Sequence, residues 1–95
     1  MTRVEGSRLS VSGPATLATA THLLEETRAA LAGGVTEIDL GEVTELDSSL
    51  LAVIFAWMRE AHAHGRTLAL HRVPPDLASL ARLYGVAELL PQASR

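Results

Sequence analysis

The sequence predicts an α/β domain built on a partly parallel sheet. Short apolar-alternating stretches take turns with longer stretches of helical spacing, and Gly or Pro punctuates nearly every junction. The connections between successive strand-like stretches are long enough to carry a helix, which is what right-handed parallel crossovers require. The chain has 95 residues, enough for one domain over 1–95 with a single core and no need of disulfide staples.

The elements follow in order. Residues 8–12 alternate polar and apolar, the period of a half-buried strand. Val4 and Glu5 are placed to pair with it across Gly6-Ser7 as a short edge hairpin, and Gly13-Pro14 is expected to end it. Residues 16–31 read as an amphipathic helix, with Leu17, Ala20, Leu24 and Leu31 at helical spacing and Leu23 and Thr27 filling in. Gly33-Gly34 stops that helix. A strand follows at 35–40, then an acidic loop at 41–46. After the principal helix comes a third strand at 67–71 and a turn at 73–76. Asp76 caps a helix through Leu77, Leu80, Ala81 and Tyr84, with Leu80, Leu83 and Tyr84 expected to close the core. A last helical turn precedes Pro91, and residues 1–7 and 92–95 are expected to be loosely ordered.

The principal helix organises the rest. It opens at Asp47-Ser48-Ser49 and runs through nine apolar residues, Leu50 to Met58, before Arg59. Asp and Ser are favoured helix caps because their side-chain oxygens accept orphan backbone N–H groups, so the helix is expected to run from about Ser48 to near Gly65. At about 100° per residue, Leu50, Leu51, Ile54, Trp57, Met58 and Ala61 form a bulky side. Ser48, Ser49, Ala52, Ala56, Arg59 and Ala63 form a second side that is nearly free of charge, with Phe55 on the border. A helix face that bare is either covered by the same domain or docks a partner.

Composition excludes several classes. The net charge of −3 argues against a nucleic-acid binder, which needs a basic face. The chain has no Cys, which removes disulfides and thiolate metal sites. No basic-then-apolar leader is present, and the longest apolar run is far short of the ~20 residues that span a bilayer. A soluble, cytoplasmic domain is expected.

No catalytic constellation emerges. As a nucleophile Ser48 lacks a Gly-x-Ser-x-Gly elbow and has no His assigned to it by sequence. A small serine hydrolase is therefore the third-ranked function. His62 and His64 lie two apart on a helix, where side chains diverge, so they suit solvated surface better than shared metal ligation. Glu37, Asp39, Glu42, Glu45 and Asp47 are explained by strand alternation and a polar loop without a metal, and no phosphate-binding Gly-rich loop accompanies them. Arg72 and Arg82 read as ordinary surface residues. The expectation is no cofactor, no metal and no enzyme.

The strand, acidic segment and Asp47-Ser48-Ser49-Leu50-Leu51 resemble the STAS domain of sulphate transporters and anti-sigma factor antagonists, whose motif is Asp-Ser-Ser/Thr-Gly-Leu. Leu50 stands where that family usually has Gly. The resemblance covers nearly the whole chain and implies the STAS fold, a small mixed β-sheet of about four strands with helices packed mainly on one face. It also implies that the Ser/Ala side of the principal helix looks outward. In the anti-sigma antagonists the first Ser of the motif is the phosphoacceptor, which makes Ser48 the candidate here.

The segment from Leu80 to Pro91 is similar to the end of the stand-alone STAS subunit (MlaB-like) of Mla-type ABC transporters, which move phospholipids and maintain outer-membrane lipid asymmetry. That likeness implies a non-enzymatic adaptor, peripheral to the inner membrane, docking on the ABC transporter ATPase and through it on the permease. The expected contact set is Asp47, Ser48, Ser49, Leu50, Ala52, Ala56 and Arg59, with Leu50 an apolar anchor and Arg59 a rim charge. The alternative is an anti-sigma factor antagonist bound to an anti-sigma kinase and released by phosphorylation of Ser48. No direct membrane insertion is implied.

Overall fold

Alternation along the second strand sends Leu9 and Val11 to one side and Arg8 and Ser10 to the other, and the whole architecture follows from that division. The computed structural model describes residues 1–93. Its elements are β1 (Thr2–Glu5), β2 (Arg8–Ala15), α1 (Ala20–Ala32), β3 (Glu37–Leu46), α2 (Ser49–Ala63), β4 (Ala69–His71) and α3 (Pro75–Leu83), followed by a 3₁₀ turn at Ala87–Leu89. The four strands form one mixed sheet in the order β1-β2-β3-β4. β1 is antiparallel to β2, whereas β2–β3 and β3–β4 are parallel. The helices lie against the apolar face of this mixed α/β sheet, the arrangement that the STAS resemblance implies.

Leu9, Val11, Ile38, Leu40 and Leu70 supply the sheet side of the core. Leu23 and Leu31 of α1, Ile54 and Trp57 of α2, and Leu77 of α3 close it from above, all but buried. One polar bond crosses this layer. The Trp57 Nε1–H donates to Thr27 Oγ1 at 2.7 Å, and the Thr27 hydroxyl in turn donates to the Leu23 carbonyl at 2.8 Å. Both side chains are buried, so each satisfies a group the other would otherwise leave without a partner.

The opposite sheet face is sealed by charge. Arg72 holds Asp39 in a two-pronged pair, Nε to Oδ1 and Nη2 to Oδ2, each 2.9 Å, and the Gly41 N–H adds a third bond at 2.9 Å. Arg8 donates to Glu37 at 3.0 Å. His71 Nε2 lies 2.9 Å from the same Glu37 oxygen, yet is out of line for a hydrogen bond and finds no other partner. A contact so misdirected is a weak hydrogen bond despite its short distance. The Asp39 carboxyl titrates below its ordinary value, chiefly through the Arg72 bond.

The strands run further than the sequence suggested. Residues 41–46, expected as an acidic loop, continue β3, and β2 passes through Gly13-Pro14 to Ala15. Register shifts between Ser10 and Ser12 and between Gly13 and Pro14 make this workable. Gly13 takes φ +83, and a bulge tolerates the N–H that Pro14 lacks. The acids at 42 and 45 are solvent-facing strand positions rather than loop residues.

α1 starts later than expected, because Thr16 to Thr19 form a turn. The Thr16 N–H donates to Thr19 Oγ1 at 3.0 Å, and the Thr19 hydroxyl reaches the Pro14 carbonyl at 3.1 Å. β4 is shorter than expected, beginning at Ala69. The ends are more structured than the sequence suggested: Thr2–Glu5 is a paired strand. The Leu70 N–H also donates to the Pro91 carbonyl, and the Ala93 N–H to the Leu70 carbonyl, both at 2.8 Å. That segment covers the open edge of β4, where unpaired backbone invites association. The rest of the expected loose tail, residues 94–95, lies outside the described residues. Among the described residues, no helix is long and apolar enough to cross a membrane.

Candidate functional site

The start of α2 is held by one carboxylate. Asp47 Oδ1 accepts the Ser49 N–H at 2.9 Å and the Ser49 hydroxyl, while Oδ2 accepts the Leu17 N–H at 3.0 Å. Asp47 thus caps the helix and clamps the β2–α1 turn to it. The Ser49 hydroxyl bond, then the Leu17 and Ser49 N–H groups, hold the Asp47 carboxyl below the usual carboxylate range. Ser48 does no capping with its side chain. It is exposed, with its hydroxyl free of bonds among the described residues.

The expected contact residues separate into three groups. Ser48, Ala52 and Arg59 are exposed on the outer side of α2. Asp47 and Ser49 are half-buried and bonded to each other, and Ala56 is half-buried beside Leu24, Thr27 and Leu31 of α1. Leu50 is 1% exposed. It is a core residue, not a surface anchor, because its position on α2 turns it toward the sheet alongside Ile54 and Trp57. The Leu in place of the family Gly therefore adds bulk beneath the helix rather than on its outer side.

Other residues complete the outer surface. Ser48, Leu51, Ala52, Phe55, Tyr84 and Val86 line a shallow, mainly apolar groove of ≈ 380 Å³ between α2 and the end of α3. Tyr84 and Leu83 were expected to close the core, yet they are 57% and 76% exposed. Leu83 belongs to α3 itself, on a side away from the buried Leu77 and Ala81, and the chain leaves helical geometry at Tyr84 and turns left-handed at Gly85. Leu17, expected on the buried side of the first helix, is 77% exposed on the turn clamped by Asp47. Helical phase placed Leu17 inward only on the premise that the helix had already begun there. The border position of Phe55 was the one sequence signal for this groove.

The groove carries no His and no acid. His22 and His64 sit against Glu26 and Glu60, four residues along their own helices, and His71 faces the far side of the sheet. No group of three or more His, Asp or Glu among the described residues could hold a metal ion.

Several solved structures share this fold. An assigned anti-sigma factor antagonist from Thermotoga maritima superposes with a TM-score of 0.76 at 15% identity, over 100% of this chain and 86% of that one. The anti-sigma factor antagonist SpoIIAA in its unphosphorylated form gives 0.65 at 17% identity, over 87% and 81%. The phosphorylated form of the Bacillus cell fate determinant SpoIIAA gives 0.59 at 19%, over 100% and 91%. At these identities the likeness is one of fold. A profile described as "Mlab, STAS domain" matches residues 2–91, so the chain belongs to the Mlab family of STAS domains. No curated protein sequence matches it.

Proposed function

We propose that the protein is a non-enzymatic adaptor that docks on the ATPase of an Mla-type ABC transporter, through the outer side of α2 around Ser48. Such a transporter moves phospholipids and maintains outer-membrane lipid asymmetry, so the adaptor works on the cytoplasmic side, peripheral to the inner membrane. Membership of the Mlab family supports the kind of partner. The carrying observation is the exposed, unbonded Ser48 at the head of a strip made of Ala52, Phe55 and Tyr84. Small side chains there let a partner backbone approach closely, and Tyr is a frequent interface anchor.

In this reading the seven residues first expected at the contact divide their work. Ser48, Ala52 and Arg59 touch the partner, Asp47 and Ser49 hold the helix start in shape, Ala56 borders the face, and Leu50 supports it from beneath. The test is co-purification of the ATPase. Ser48→Glu is expected to abolish it by placing a charge in a desolvated contact, while Ser48→Ala leaves it intact. Full co-purification with Ser48→Glu would sink the reading.

A second reading is favoured by the same hydroxyl. SpoIIAA exists in phosphorylated and unphosphorylated forms, and Ser48 sits at a helix N-terminus, where a phosphate is stabilised by backbone N–H groups. In that reading the protein is an anti-sigma factor antagonist released from a kinase by phosphorylation of Ser48. Intact-mass measurement after incubation of the protein with ATP and its captured partner separates the two, since only the second requires a phosphate on Ser48.

A further inference from the structure

Four of the eight arginines are engaged elsewhere. Arg8 and Arg72 pair with Glu37 and Asp39 on the outer sheet face, Arg3 lies by Glu42, and Arg82 donates to Ser79. A different situation holds at the far end of α2. There Arg59, His62 and Arg66 stand around a shallow pocket of ≈ 340 Å³ whose apolar lining comes from Met58, Leu68 and Pro91. No acid lines it. Arg59 and His62 are exposed, and neither makes an ion pair or side-chain hydrogen bond among the described residues. Arg66 lines the pocket as well, with Nη1 bonded to the Leu31 and Ala32 carbonyls and no side-chain bond from Nε or Nη2 among the described residues.

A helix C-terminus favours cations through its dipole, and that accounts for His62 in the last turn. Arg66 is likewise accounted for by the end of α1, but neither helix end accounts for an apolar, acid-free depression between these side chains. In a chain of net charge −3, an acid-free cluster of three basic side chains around an apolar floor is complementary to one kind of ligand. Arg59 also belongs to the outer side of α2, so the pocket is continuous with the docking face.

We propose that this pocket receives an acidic peptide segment of the docking partner, with carboxylates meeting Arg59, His62 and Arg66 and an adjacent aliphatic side chain resting on Met58, Leu68 and Pro91. Forked guanidinium groups suit carboxylates in two-point contact. The inference rests on the docking reading for the identity of the partner, but the pocket's chemistry can be tested without it.

The direct experiment is a titration of the ¹⁵N-labelled protein with a short capped peptide alternating Asp and Leu, followed by amide shifts. Shifts centred on residues 58–68, saturable, weakened by salt as an exposed charge contact must be, and reduced about tenfold or more in affinity by His62→Glu, are the expected result. Shifts scattered over the surface, or unchanged by His62→Glu, would overturn the proposal. So would binding to phosphatidylglycerol vesicles with no response to the peptide, which would make the pocket a lipid-headgroup site. Arg59→Glu and His62→Glu are both at exposed positions, and their melting curves should match the parent. The same variants in the co-purification assay separate the two ideas. If Ser48→Glu abolishes capture while His62→Glu leaves its strength and salt dependence unchanged, the acidic-segment proposal falls and the docking face stands. If Ser48→Glu has no effect but the peptide still binds at 58–68, the docking reading falls and the pocket remains.

Discussion

At the scale of single residues, two buried side chains carry disproportionate weight. Thr27 accepts the only polar group of Trp57, within a region where water has no access. Thr27→Val keeps the shape and removes the acceptor, leaving the indole N–H unsatisfied. The expected cost is about 1–3 kcal/mol, read as a lower urea midpoint with an unchanged slope. Leu50→Ala tests the other assignment. With Leu50 inside the core, truncation should lower stability by about 2–5 kcal/mol, while partner capture at a temperature where the variant is folded stays near that of the parent. Loss of capture with parental stability would return Leu50 to the surface. The sequence told which residues share the bulky side of α2, and Leu50 was among them. The motif comparison pulled it to the docking side, and burial decides against that.

At the scale of elements, the start of α2 depends on Asp47. Its folded pKa lies below the ordinary value of 3.8, because the ionised form accepts the Ser49 hydroxyl and the Leu17 and Ser49 N–H groups. Between the two values the unfolded chain binds the proton more readily than the folded one. The Asp47 contribution is therefore fully present above the unfolded pKa and is lost as pH falls through the folded one. Asp47→Asn should be less stable than the parent at neutral pH, and the difference should shrink on acidification below about pH 4, as followed by circular dichroism. A constant difference across that range would show that Asp47 acts without its charge. The clamp also explains why Leu17 is presented on the surface, a relation between residues thirty apart in sequence that no local pattern announces.

At the scale of the whole molecule, the sheet has one face packed by helices and one closed by its own charges. Gly41 is part of that closure. A Cβ there would fall 2.3 Å from the Arg72 guanidinium, so Gly41→Ala must displace Arg72 from Asp39. Arg72 is itself exposed and can swing away, so the expected loss is small, read as a slightly lower urea midpoint. In a double-mutant cycle with Arg72→Ala the two losses should be clearly less than additive, since both remove the same pair. Additive losses would mean that Gly41 matters for another reason.

By itself the sequence determined the order of strands and helices, the parallel crossovers, the apolar side of α2 and the membership of the STAS class. All of these rest on local periodicity, on Gly and Pro punctuation, and on a short motif read in sequence. Tertiary structure decided where β3 ends, because the pairing of Val43 and Leu46 with β2 depends on bulges that the composition of an acidic stretch conceals. It also decided which apolar residues reach solvent. Helical phase gives direction around an axis but not the width of the arc that neighbours cover, and that width depends on where α1 and α3 come to rest. Leu50 went inside, as helical phase had it, while Leu17, Leu83 and Tyr84 came out against expectation, and Tyr84 became part of the surface around Ser48.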